Sequence, residues 1–342
     1  MIYLDNNATT PVHPEVLEAM LPFLKDQFHN PSSGYRSAKP VKAAIAAARE
    51  QVAALINAHP DEIIFTSCGT ESNSTALKSL ARLVGRKNSR VFTSAIEHSA
   101  VLRPIEAMAA VGFETQTIGV HEDGRLDLDQ LSSVLDPDKA TFASLMWANN
   151  ETGVTQPITE ACSLLKENGA VLHTDAIQAI GKVPVDVRAT PVDMLSISGH
   201  KLYAPKGIGA LYLRSGFRLD PLLRGGGQEN GHRSGTENVP YIVALGKAAE
   251  LAMNYDTSSI ATLRDHFEER ITTELEGVHL NGSREHRSDN ISHLSFDHCE
   301  GAGLLILLDE AGVQVSTGSA CMTGKQQPSH VQQAMGLSLI HI

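Results

Sequence analysis

Four polar residues stand at the ends of short apolar runs, where a chain that has just left a β-sheet can present them to a ligand, and a fifth, a cysteine, lies on a loop. In "SISGHKLYAPKG" the run closes at Ser198-Gly199-His200 and Lys201 follows directly. A lysine held at a strand end can be desolvated and used as an amine nucleophile, although a lone lysine is more often a surface residue. In "HTDAIQ" Asp175 ends an apolar run, with Gln178 three positions on. A carboxylate there can hold a ring nitrogen protonated or can simply cap a helix. "TSCGTES" takes a strand through Gly69-Thr70 into a helix start, whose free N–H groups and hydroxyl suit a phosphate. Plain capping, with Thr70 as the cap and Glu71 in the first turn, explains the same letters. His98 in "AIEHSA" could stack on a flat ring or be an ordinary helix-start histidine. Cys321, in "STGSACMTGK", is too surrounded by Gly, Ser and Thr to be core and reads as an accessible thiol on a flexible loop.

These residues need a scaffold that brings strand ends together. "AKPVKAAIAAAREQVAALI" (38–56) carries a helical apolar stripe, "EIIFTS" (62–67) reads as a buried strand, and "GTESNSTALKSLARLV" as the helix after it. The alternation continues. "RVFTSA" precedes a helix near 99–111, "FETQTI" one near 127–135 and "TFASLMW" one near 158–168, while "AVLHTDA", "MLSIS" and "GALYL" add three strands. The pattern predicts an α/β fold with a mainly parallel sheet covered on both faces. After "RGGGQENGHRSGTEN" (224–238) the rhythm changes to a long helical region, 240–276, followed by short strands near 291–296 and 313–315. The expected division is an N-terminal segment over 1–14 that joins the small domain, a large domain over 15–245, and a small α+β domain over 246–342.

Composition narrows the function classes. With 28 Lys and Arg against 39 Asp and Glu, the net charge of −11 disfavours nucleic acid or an anionic membrane as the main partner. No apolar run approaches the ~18 residues of a spanning helix, since "LLILL" (304–308) stops at Asp309. "MIYLDNNATTP" has neither a basic segment nor an apolar core, so no secretory signal is expected. The four cysteines, Cys68, Cys162, Cys299 and Cys321, are widely spaced, which predicts individual thiols in a reduced, cytoplasmic setting. Cys68 is expected to be buried near the site, and Cys162 to be core. The cluster His293, His298, Cys299 and Glu300 is not expected to hold a metal, because alternating strand residues face opposite ways.

Taken together, "YLDNNATTP", "NPSS", "FTSCGTES", "EHSAV", "MWANNETG", "HTDAIQAIGKVP", "SGHKLYAPKG", "LLRGGGQENGHRSGTEN" and "STGSAC" resemble the cysteine desulfurases, in the NifS-like branch of the class V aminotransferases. The resemblance runs from residue 3 to about 337. It implies a fold-type I enzyme dependent on pyridoxal 5′-phosphate (PLP). Lys201 would then carry PLP as a Schiff base, Asp175 would pair with the pyridine nitrogen, and Gln178 would bond the ring hydroxyl. His98 would stack over the ring, and Gly69, Thr70, Ser198 and His200 would hold the phosphate. Asn150 would sit beside cofactor and substrate, and Thr236 would reach the phosphate of a partner subunit in a homodimer. L-Cysteine would be the substrate, Cys321 the thiol that takes its sulfur, and a sulfur acceptor or Fe–S scaffold protein the recipient.

A selenocysteine lyase or plain aminotransferase is the alternative within this fold, and a sulfur carrier with impaired catalysis the alternative outside it. Two departures modify the expectation. Tyr35 and Ala38 stand where the family carries His and Gly. "QAMGL" is followed by "SLIHI" rather than by the family's arginine-bearing segment, which binds the substrate carboxylate. On that reading the small domain is C-terminally truncated and incompletely packed, and the chain binds PLP but is a poor desulfurase.

Overall fold

The computed structural model describes residues 1–87, 89–318 and 329–337. Its elements follow the alternation in chain order. Strand β1 (Ile2–Tyr3) and helices α1 (Pro14–Lys25) and α2 (Ala38–Leu55) come first. They are followed by β2 (Ile63–Thr66), α3 (Gly69–Val84), β3 (Ser89–Ser94), α4 (Ser99–Ala110), β4 (Glu114–Ile118) and α5 (Leu128–Val134). Then come β5 (Ala140–Ser144), α6 (Ile158–Glu167), β6 (Val171–Asp175), β7 (Met194–Ser198) and β8 (Gly209–Leu213). The remaining part carries α7 (Val239–Ala252), α8 (Ser258–Glu274), β9 (Val278–Leu280), β10 (Leu294–Phe296), α9 (Gly301–Glu310), β11 (Val313–Gln314) and α10 (His330–Ala334).

A seven-stranded sheet in the order β2-β8-β7-β6-β5-β3-β4 forms the centre. All pairs from β7 to β4 are parallel, and only β8 runs against its two neighbours. The reason is the short link from Ser198 to Gly209, which cannot make the crossover that a parallel neighbour requires. Because β8 opposes both β7 and β2, those two run the same way. The C-terminal ends of β2, β3, β5, β6 and β7 therefore share one edge of the sheet.

The near-continuous apolar strands are explained by burial on both faces. Along β8, Ala210 and Tyr212 join the core under α2 and α7, whereas Leu211 and Leu213 join the core under α3 and α4. Phe92 and Ala143 face the first core, Val91 and Phe142 the second. One polar cross-link interrupts this packing. His173 Nδ1 lies 2.8 Å from Ser144 Oγ and its Nε2 3.0 Å from Ser196 Oγ, tying β5, β6 and β7 together. Burial pulls this imidazole down to about 3, so it stays neutral and serves the sheet rather than proton transfer.

The expected helical region 240–276 is two helices. Between α7 and α8 lies "MNYDT", where the Asp256 carboxylate accepts the Ser258 N–H at 2.9 Å, turn chemistry that competes with a continuous helix. Helix α9, which contains "LLILL", carries no fully buried residue, and Ile306 and Leu307 are exposed. The first strand pairs in parallel with β11, so the N-terminal segment joins the C-terminal part in a small second sheet. No helix among the described residues is long and apolar enough to cross a membrane.

Phe92 is fully buried where β3 meets the first core. Phe92→Ala is expected to cost about 3–5 kcal/mol. Denaturant titration checks this, as a lower unfolding midpoint at an unchanged slope.

Candidate active site

A cavity of about 270 Å³ opens at the shared sheet edge, lined by His98, Asn150, Asp175, Gln178, Ser198, His200 and Lys201 among others. Gly69 and Thr70 line it from the first turn of α3, and Asn7 and Ala8 from the N-terminal segment. The described residues expected to act within one chain thus converge, because they lie at or after strands that end at the same edge. Thr236 does not join them. It lines a second cavity with Phe65, Ser67, Glu229 and Arg233. Cys321 lies outside the described residues, but Ser316 and Gly318, in the segment leading into it, line the first cavity.

Each wall has a local cause. The capping position of α3 falls on Cys68, with no side-chain cap, and not on Thr70, which sits inside the first turn. The first N–H groups of a sixteen-residue helix are thus left for a ligand, and the helix dipole favours an anion there. Glu71, which could have repelled that anion, is turned away. It accepts from the Ser67 N–H at 2.7 Å and from Arg233 Nε at 2.9 Å. Glycine at position 69 favours close packing, since a Cβ there would lie 2.2 Å from Ile177 Cδ1 and 3.2 Å from Ser198 Cβ, so Ile177 would have to move. Cys68 is half-buried on the cavity wall rather than buried. Cys162 is core, and burial pushes its thiol up. Cys299 is exposed.

Asp175 is buried, with Oδ1 accepting from the Ile177 N–H at 3.0 Å and Oδ2 from Asn73 Nδ2 at 2.7 Å. Burial pushes its carboxyl up, opposed by these two donors and then by His98 and Lys201. A carboxylate so desolvated is best satisfied by a cationic N–H arriving in the cavity. His98 caps α4, its Nδ1 accepting the Ala100 N–H at 3.1 Å. That bond leaves the proton of the neutral ring on Nε2. Burial, with Lys201 and His330 nearby, lowers its pKa, partly offset by Asp175. His200 is pulled down to about 4, first by burial and then by Lys201. Lys201 Nζ donates to the Asn7 carbonyl oxygen and, at 2.9 Å, to that of Ala8.

Sequence reasoning did not single out Asn73, Asn149 or Glu97, all fully buried supports. Asn149 Oδ1 accepts the Glu151 and Thr152 N–H groups at 2.9 Å, and its Nδ2 donates to the Ile96 carbonyl at 3.0 Å. This ties the turn bearing Asn150 to the loop bearing His98. Glu97 Oε1 accepts from Ser94 Oγ at 2.6 Å and the Met146 N–H at 2.7 Å, while His330 Nε2 donates to the Glu97 carbonyl at 2.8 Å. Their polar letters give no hint of burial beyond the asparagine pair in "WANNETG".

The residues fit PLP: an uncapped helix terminus for a phosphate, a desolvated carboxylate for a ring N–H, an amide and an imidazole at the walls, and an amine. Residues 2–341 match the family described as "Aminotransferase class-V". A cysteine desulfurase IscS of Dictyoglomus turgidum is 46% identical over 341 residues, covering 99% of this chain and 86% of the relative. Among solved structures, a NifS-like protein superposes with a TM-score of 0.91 at 36% identity, over 99% of this chain and 91% of that one. SspA in complex with cysteine gives 0.89 at 35% identity, over 100% and 96%.

Burial raises Glu97 from 4.5 to about 8. The folded protein therefore keeps a proton that the unfolded chain releases. Stability from this group is full below about pH 4.5 and falls as pH rises towards 8. Glu97→Gln is expected to flatten that decline, its advantage over wild type growing from pH 5 to pH 8 in denaturant titrations; an equal effect at both pH values would contradict it.

Proposed function

The chain belongs to the class-V aminotransferase family, and from that premise we propose that it is a PLP-dependent cysteine desulfurase, converting L-cysteine to L-alanine and passing the sulfur to Cys321. The observation that carries this reading is the convergence of Lys201, Asp175, His98 and Gln178 with the uncapped start of α3 around one cavity. When bound, PLP supplies an electrophilic carbon and an electron sink for the charge left by removal of the substrate Cα proton.

The chain supplies the rest. Lys201 would be the amine that holds the cofactor, and its free amine would be the base for the substrate Cα proton. Asp175 keeps the ring nitrogen protonated, and the two donors on its oxygens hold it in place. His98 would stack on the ring, its Nδ1 held by the Ala100 N–H so that the proton of the neutral imidazole is on Nε2. Gly69, Thr70, Ser198 and His200 bind the phosphate, with His200 acting as a neutral donor. Asn150 lies beside the substrate.

The thiolate of Cys321 attacks the substrate sulfur, forming an S–S bond as the Cβ–S bond breaks. Cβ and Cα are reprotonated to give alanine, and the enzyme is left as a persulfide. Ser316 Oγ donates to Asp5 Oδ1 at 2.8 Å and His330 is tied to Glu97, so both flanks of the Cys321 segment are anchored at the site.

Thr236 is assigned to the partner subunit's phosphate in a homodimer. Its loop is held by Glu229, which accepts from Arg49 at 2.7 and 2.8 Å and from the Phe65 N–H at 2.8 Å. The sulfur recipient is an acceptor or scaffold protein for Fe–S cluster assembly in the cytoplasm. The domain limits near residues 14 and 245 belong to the same proposal.

Lys201→Ala is expected to abolish the visible absorbance of enzyme-bound PLP and to lower alanine formation by roughly a thousandfold or more. Cys321→Ala keeps the absorbance and loses sulfide release from cysteine. Sulfide release at the wild-type rate by Cys321→Ala would refute the assignment of that thiol.

A further inference from the structure

Behind Gln178 lies a second lysine that the mechanism does not use. The chain after β6 coils through one helical turn, with the Ile180 N–H on the Ala176 carbonyl at 3.0 Å and the Lys182 N–H on the Ala179 carbonyl at 3.0 Å. Positions four apart on such a turn share a face, so Lys182 returns over Gln178, and its Nζ donates to Gln178 Oε1. The opposite pole of the same amide, Nε2, donates to the Asn7 carbonyl at 3.1 Å, the oxygen that Lys201 also uses. Gly181, at φ +72°, lets this turn press on Leu202, the neighbour of Lys201; a Cβ there would lie 2.4 Å from Leu202 Cδ1.

Lys182, His200 and Lys201 form one basic corner. Burial and Lys201 pull Lys182 down to about 7, and Lys182 in turn helps to lower His200. No carboxylate is ion-paired with Lys182 among the described residues; the nearest acid of the site, Asp175, is engaged by Asn73 and Ile177. An anionic oxygen arriving in this corner would relieve the mutual repulsion.

We propose that Lys182 is a positioning residue for Gln178: by occupying Oε1 it fixes the amide so that Nε2, a donor, is the pole presented to the phenolic oxygen of PLP. The inference rests on the reading of Gln178 as a cofactor ligand. Without Lys182 only the bond from Nε2 to the Asn7 carbonyl would hold the amide, and a turn of the group that brought Oε1 round would repel that oxygen. With Lys182 in place only the donor is offered, the phenolate is stabilised, and the proton shared between it and the Lys201 nitrogen is held less tightly.

The test is the pH titration of the visible absorbance of PLP bound to the holoenzyme, for wild type, Lys182→Met, Gln178→Leu and the double variant. Lys182→Met is expected to raise the apparent pKa of the bound cofactor by roughly half a unit or more, about a threefold change in proton affinity. It should also weaken PLP retention during dialysis. In the Gln178→Leu background the same substitution should add no further shift, because the group it orients is gone.

An unchanged titration in Lys182→Met, or an equal shift in both backgrounds, overturns the proposal; the second outcome would make Lys182 a distant charge only. If wild type itself shows no absorbance dependent on Lys201, the cofactor reading fails and the inference falls with it, a result distinct from the other two. Lys182→Leu, which likewise has no donor, runs the same comparison should Lys182→Met not fold.

Discussion

The desolvated carboxylate of Asp175 governs how this molecule is built around its cavity. A buried anion costs several kcal/mol unless donors and a cation meet it. Two donors are built in: the Ile177 N–H from its own turn and the Asn73 amide from α3. The second requires α3 to lie close against the end of β6, and that approach is possible because position 69 has no side chain to strike Ile177 and Ser198. The same approach leaves the start of α3 uncapped and aimed at the cavity. Carboxylate, helix terminus and glycine are thus one arrangement, with the anion site as its by-product.

The remaining walls are held from a distance. The N-terminal segment lies over the site, where the carbonyls of Asn7 and Ala8 receive Lys201 and Gln178. Glu97 and Asn149 bind the turns after β3 and β5 to each other from beneath, so His98 and Asn150 keep their spacing. Ion pairs secure the glycine-rich loop: Glu229 to Arg49, and Glu71 to Arg233. The Glu71 pair has a second effect, because it withdraws a carboxylate from a helix terminus that favours an anion.

Charge is distributed asymmetrically across the cavity. Asp175 supplies the negative pole, while Lys201, His200 and Lys182 crowd the other side, where Lys201 helps to lower both Lys182 and His200. A cofactor with a cationic ring nitrogen and anionic oxygens would complement both halves. Unlike-charged groups brought together in a dry site interact far more strongly than they would in water. Lys182 belongs to this balance even though it does not line the cavity itself.

Much of this was legible in the sequence. Strands β2, β3, β6, β7 and β8 and helices α2, α3, α4 and α6 follow from apolar periodicity and Gly punctuation, because each is set by residues near in the chain. Lys201, Asp175, His98 and Thr70 were identifiable as strand-end residues, and their motifs indicated the family. The break between α7 and α8 was missed because the turn in "MNYDT" is a small local signal inside a helical region. What only the tertiary structure decided is which groups meet: Asn73 on Asp175, Glu97 under Met146, and Lys182 on Gln178 beside Lys201. Composition and spacing determine where a strand or helix can form, since those preferences are local. The partner of a buried polar atom is set by the packing of segments distant in sequence, and only the folded chain brings them within hydrogen-bond reach.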